Sequence, residues 1–302
     1  MKKKTYLFAL MAMALTLGSC SDNENGIGGE TSKYITVSTS IGNMTRVATD
    51  EKGGQTFEEG DEISVYAWTG DATVAPETRE RVVNNAINKL TNGSWVSTPQ
   101  MLWKNNRDKH YFIGVYPISA SAISDLSAGE YAFDETKQVE SDLLVAVNKD
   151  GLSYNVDEQQ PVPLTFTHVM AKLVVNLTYK NQWGGIPTVE KVVVGNAAKE
   201  ATINYLTKVV TPSTTAKEDF SLPEITENTK YVSVIIPQED VKQLTIVIGG
   251  KNFVYDNGTP FKLESGKITT VNLEVGRDEI KLGDVKITDW ENGSTFSGEA
   301  LN

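Results

Sequence analysis

The chain has 302 residues, 39% of them hydrophobic and 22% charged, which suits about two folded domains and excludes wholesale disorder. Its 28 Lys and Arg against 39 Asp and Glu give a net charge of −11, which argues against binding to a nucleic-acid backbone. One Cys and two His are too few for a disulfide framework, a zinc-ribbon site or an iron–sulfur site, so neither metal nor cofactor is expected.

The N-terminus opens with Lys2, Lys3 and Lys4, followed by an apolar run over residues 6–17. That run is shorter than the roughly 20 residues of a bilayer-spanning helix, and with its basic start it reads as a secretory signal peptide over 1–19. Leu17-Gly18-Ser19-Cys20 resembles the lipobox of a bacterial lipoprotein. The resemblance implies cleavage before Cys20 and acylation of its thiol; an ordinary signal peptide with an incidental Cys is the alternative. Residues 21–30 are acidic and Gly-rich and read as a solvated tether. The glycines there lack the G-x-G-x-x-G spacing of a dinucleotide site.

The remainder reads as strands separated by turn signals. Residues 34–41 place Ile35, Val37 and Ile41 on one face. Further candidates are 62–68, 109–115, 143–147, 172–179, 191–194, 231–236, 244–248, 252–255, 268–275 and 284–288. Turns are expected at Asn92-Gly93, Asp150-Gly151, Gly249-Gly250, Asn257-Gly258 and Asn292-Gly293. One segment, Glu77 to Leu90, has spacing that suits a helix. Many short strands with such turns predict an all-β protein of sandwich type. Pro161 and Pro163 suggest a boundary, because proline interrupts sheet pairing.

Four stretches carry a family resemblance. Residues 164–173 read Leu-Thr-Phe-Thr-His-Val-Met-Ala-Lys-Leu, similar to an F-x-H-x-x-A-K-L stretch of fimbrillin-like proteins. Phe112 to Pro117 resembles their F-x-x-x-Y-P strand end, Phe57 to Ile63 their F-x-x-G-D-x-I stretch, and Val285 to Trp290 their terminal V-x-I-x-x-W strand. The resemblance implies two tandem transthyretin-like β-sandwich domains, here 47–162 and 163–302, behind a signal peptide (1–19) and a removable segment (20–46). It further implies a subunit of a type V pilus (fimbrium) of a Gram-negative cell, serving adhesion. Such subunits reach the outer membrane as lipoproteins, where a protease cuts after an Arg and releases the anchor with the first strand. The vacated groove then takes a C-terminal strand from another pilus subunit.

Arg46 is the first Arg in the chain and lies in Met44-Thr45-Arg46-Val47-Ala48-Thr49, whose small and polar residues suit an accessible loop. A cut between Arg46 and Val47 by an Arg-specific protease would remove Cys20 together with the strand carrying Ile35, Val37 and Ile41. Left uncut, the protein would stay anchored as a surface lipoprotein holding glycan or protein on its loops. Ile280, Leu282, Val285, Ile287 and Trp290 form a donor pattern, with Phe296 beyond and Gly283 placed for a bulge. The same residues suit a strand that completes its own second sandwich.

Catalytic signals are weak. His110 and His168 are far apart, and neither G-x-S-x-G nor H-E-x-x-H occurs. His168 reads as a packed or hydrogen-bonded residue. Glu58/Glu59 and Glu239/Asp240 lie in polar turn contexts and read as solvated surface rather than paired acids. No enzymatic activity is expected. Of Trp68, Trp95, Trp103, Trp183 and Trp290, Trp183 in a loop is the best candidate for an exposed, sugar-stacking ring.

Overall fold

A computed structural model of the chain describes residues 34–42, 56–119, 121–154, 161–256 and 258–290. Cys20, Arg46, Val47, Phe296 and the Asn292-Gly293 turn lie outside the described residues. Among the described residues the regular structure is nearly all strand, with two short 3-10 turns. Its first half contributes β1 (Val37–Ile41), β2 (Glu62–Thr69), β3 (Arg81–Thr91), β4 (Ser94–Thr98), β5 (His110–Tyr116), β6 (Gly129–Ala132), β7 (Leu144–Leu152) and β8 (Val162–His168). Its second half contributes β9 (Ala171–Tyr179), β10 (Val189–Ala198), β11 (Glu200–Asn204), β12 (Val209–Pro212), β13 (Lys217–Ser221), β14 (Glu224–Thr226), β15 (Lys230–Ile235), β16 (Gln243–Ile248), β17 (Lys251–Asp256), β18 (Lys267–Val275) and β19 (Ile280–Asp289).

Seven strands form one sheet in the order β1-β8-β7-β5-β2-β3-β4. Successive side chains of a strand point to opposite faces, so a strand buried on both faces is apolar throughout. β2 approaches this, buried from Ile63 to Trp68 with Ser64 the one small polar residue among them. Ile63, Val65 and Ala67 join one core with Phe112, Leu144, Ala146, Leu164 and Phe166, while Tyr66 and Trp68 join another. The first core is enclosed because the sheet curls until its two ends meet. The Ile35 N–H donates to Met101 O (2.9 Å), and the Trp95 Nε1–H donates to Thr39 Oγ1 (3.0 Å). Gly114 makes room inside the curl: a Cβ there would stand 2.6 Å from Phe166 Cζ.

The second half builds a five-stranded sheet, β14-β15-β9-β18-β19, facing a four-stranded one, β13-β10-β16-β17. A three-stranded sheet, β12-β11-β6, ties the halves together, since β6 of the first half pairs with β11 of the second. One continuous core runs through both, from Tyr66 and Ile113 to Val271 and Leu273.

The helix expected over Glu77 to Leu90 is a single 3-10 turn (Thr78–Glu80) followed by β3. β3 pairs with β2 through register shifts, Val65 facing Ala86 but Ala67 facing Val83, and Asn85 takes a positive φ of 59°. The extra residue brings Val83 and Ala86, three apart, to one face and so mimics helical spacing. The expected Asp150-Gly151 turn lies within the irregular end of β7, where the register with β5 shifts between His110 and Phe112. Pro161 and Pro163 do not end the first sheet; the chain leaves it after His168. Alternate residues of a parallel strand bond to the same neighbour, and Val162 donates to Thr36 O on β1's side, so the missing N–H of Pro163 would have pointed away from β1.

Candidate functional site

β1 is the end strand of the seven-stranded sheet and lies parallel to β8, with Val37 opposite Val162 and Ile41 opposite Phe166. Its alternation seats Ile35, Val37 and Ile41 in the curl, at 2%, 6% and 9% exposure. The ladder is closed at both ends, by Val162 N–H to Thr36 O and by Gly42 N–H to Phe166 O, each 2.8 Å. On the outer face Ser40 donates to Thr165 Oγ1 (3.1 Å). Burying three aliphatic side chains is worth about 5–8 kcal/mol gross before the cost of ordering the strand.

The slot beneath β1 is floored by aromatic rings. Phe57 packs edge-on against Trp95, Tyr116 and Phe166 with centroids 5.1 to 5.4 Å apart. Burial pushes the Tyr116 hydroxyl up to about 12, with the nearby Asp61 carboxylate adding to the rise. A groove of about 720 Å³ runs along β1, lined by Val37, Thr39, Ile41, Phe57, Trp95 and Pro161. Sequence reasoning placed Trp95 only among possible sugar platforms. The Asn92-Gly93 hairpin, with φ of 52° and 73°, carried the signal, because it sets Leu90 against Trp95 and turns that ring to the seam.

β19 carries the candidate donor residues and pairs along its whole length with β18. Leu282 faces Leu273 and Asp284 faces Asn272, so Gly283 is the extra residue of a bulge, and a Cβ on it would stand 3.2 Å from Asn272 O. The bulge restores the face, setting Ile280, Leu282, Val285 and Ile287 opposite Val275, Leu273, Val271 and Thr269. That face overhangs the core: Leu282, Val285 and Ile287 remain 37–40% exposed.

Trp290 ends the strand differently. Its N–H donates to Gly266 O (3.0 Å), and its ring stacks on His168, centroids 4.0 Å apart and nearly parallel. The Lys172 ammonium lies 5.2 Å from the Trp290 ring centroid. The His168 Nδ1–H donates to Asp142 Oδ1 (2.8 Å), while Nε2 has no hydrogen-bond partner among the described residues. His168 is thus a packed, hydrogen-bonded residue. His110 is too: its Nε2 accepts from the Lys104 N–H (3.0 Å), and burial lowers its pKa.

Burial also pushes the Lys172 ammonium down to about 8, with Asp142 opposing that shift and Lys230 reinforcing it. Below pH 8 the lysine is charged in both folded and unfolded chain. Between about 8 and the ordinary lysine value near 10.4 only the unfolded chain holds the proton, so stability rises with pH across that window. Urea midpoints taken from pH 7.5 to 9.5 should rise, and Lys172→Met should flatten the rise. An unchanged slope in the variant would assign the rise to another group.

Trp183 is not the exposed platform expected of it. It ends a 3-10 turn, donates from Nε1 to Val275 O (3.0 Å), and is flanked by Phe253 and Arg277.

The fimbrillin-like family matches residues 45–290. A Bacteroides uniformis protein named as a fimbrium subunit, Fim1C, is 24% identical over 99% of this chain and 100% of its own length. Among solved structures, a protein from Bacteroides uniformis described as a cell adhesion protein aligns with a TM-score of 0.62 at 19% identity, covering 85% of this chain and 99% of the other. A second such protein, from Bacteroides ovatus, aligns with the same TM-score at 18% identity, covering 85% and 98%. A fimbrial protein from Bacteroides vulgatus aligns at 0.54 and 11% identity, covering 84% and 99%. On the extent of the family match, the chain belongs to the fimbrillin-like family.

Proposed function

We propose that this chain is a structural subunit of a cell-surface fimbrium serving adhesion. In this reading it travels as a lipoprotein acylated at Cys20, reaches the outer membrane, and is cut between Arg46 and Val47 by an Arg-specific protease. The cut frees β1 from the chain that follows it, and a strand from a neighbouring subunit takes its place. The observation that carries the reading is β1 itself. It is an end strand whose aliphatic side chains fill a slot inside the curled sheet, and its covalent link to the strands that follow runs through the segment that holds Arg46. Losing it would bare Leu164 and Phe166 and leave alternate amides of β8 unpaired, an edge that accepts another strand. The family membership and the fimbrium-subunit name of the Bacteroides uniformis relative support the same reading.

The test is to treat purified full-length precursor with an Arg-specific protease and to confirm by N-terminal sequencing a new start at Val47. Polymer ladders stable to mild detergent are expected after the cut, and Arg46→Ala should abolish them. A chain that stays monomeric after a confirmed cut overturns assembly by strand exchange.

A further inference from the structure

Thr39 occupies the third inward position of residues 35–41, after Ile35 just ahead of β1 and Val37 within it, and it is half-buried where those two are buried. It is the one inward β1 residue with a side-chain oxygen, and that oxygen accepts the Trp95 Nε1–H across the seam at 3.0 Å. An indole N–H is a donor only. Any strand that fills the slot with an aliphatic residue at this level gives that donor no partner within the inserted strand.

β19 carries the same order of side chains twice. Ile280 and Leu282 are followed by Asp284, and Val285 and Ile287 are followed by Asp289, each at the two-residue step of Ile35, Val37 and Thr39. In either frame a carboxylate falls where Thr39 sits. In the intact chain both acids lie on β19's exposed stretch, Asp289 paired with Lys267 and Asp284 accepting from Asn272.

We infer that Trp95 selects the strand that replaces β1, requiring a side-chain hydrogen-bond acceptor at the third inward position, and that Asp284 or Asp289 of a second copy supplies it. This rests on the strand-exchange reading. The indole thereby resists a slip in one direction, because moving the strand by two residues so that Leu282 or Ile287 replaces the carboxylate would set an aliphatic side chain against the donor.

The test uses full-length protein cut after Arg46 and labelled peptides followed by fluorescence anisotropy. A peptide of residues 34–42 is compared with its Thr39→Val version, which keeps the shape and loses the acceptor. The valine peptide should bind about tenfold more weakly. On cut Trp95→Phe protein the two should bind alike. A peptide of residues 279–290 should compete, and replacing both Asp284 and Asp289 by leucine should weaken it by a similar factor on the Trp95 protein only. Equal binding of threonine and valine peptides to the Trp95 protein overturns the selection while leaving strand exchange standing. Failure of every peptide to bind a chain whose cut is confirmed overturns strand exchange, and the selection with it.

Discussion

Phe166→Ala should cost the chain about 3–5 kcal/mol of unfolding free energy, the range for removing a fully buried aromatic ring. Phe166 has no exposed surface, lies opposite Ile41 at the end of β1, and closes the aromatic floor through Phe57. Gly114 has given up its side chain to admit this ring, so an alanine at 166 leaves a void that the glycine cannot fill. The loss should be concentrated on β1. The Gly42 amide, bonded to Phe166 O, should exchange with solvent faster than the amides of β2, which lies in the middle of the sheet. Phe166→Leu should recover about half of the loss. A urea midpoint that implies less than about 1 kcal/mol would show that the slot collapses onto the smaller residue, and would remove Phe166 as the residue that seats β1.

Most of the long strands are legible because their chemistry is local. β1, β2, β9 and β18 each show alternating or continuous apolar residues between turn signals; the structure places β2, β9 and β18 within one residue of the expected bounds and starts β1 three residues later than expected. The misreadings share a physical cause. β3 hides behind a bulge at Asn85 that converts a period of two into an apparent period of three, and the end of β7 absorbs a turn signal in the same way. β6, β12 and β14 are three or four residues long and mostly exposed, so their existence depends on partners distant in sequence rather than on their own side chains. The slot was legible only from one side. Ile35, Val37 and Ile41 announce a buried strand, but the parallel pairing with β8, some 125 residues further on, and the Thr39–Trp95 contact across the seam arise from the curl of the whole sheet. No local pattern encodes that curl.

Trp290→Ala should leave the body of the fold intact and release β19. Three of the four apolar side chains of β19's inner face are more than a third exposed, so the strand gains little from burial along its length and depends on its ladder to β18 and on its last residue. Trp290 is only 8% exposed, with His168 stacked on one face and Lys172 over the ring. Removing it forfeits about 3–5 kcal/mol locally, which corresponds to exchange of β19 amides faster by roughly two to four powers of ten. The amides of β9, on the far side of β18, should change little. Trp290→Phe, which keeps an aromatic face for His168, should fall between. Unchanged exchange over Ile280–Asp289 in the alanine variant would mean that the ladder alone holds the strand. The dependence on one residue follows from the placement of His168, which ends β8 two residues beyond the last pairing of β8 with β1. The strand that seats β1 in the first half therefore also fixes the end of β19 in the second: Val162 to Phe166 pair with β1, and His168, two residues on, stacks on Trp290.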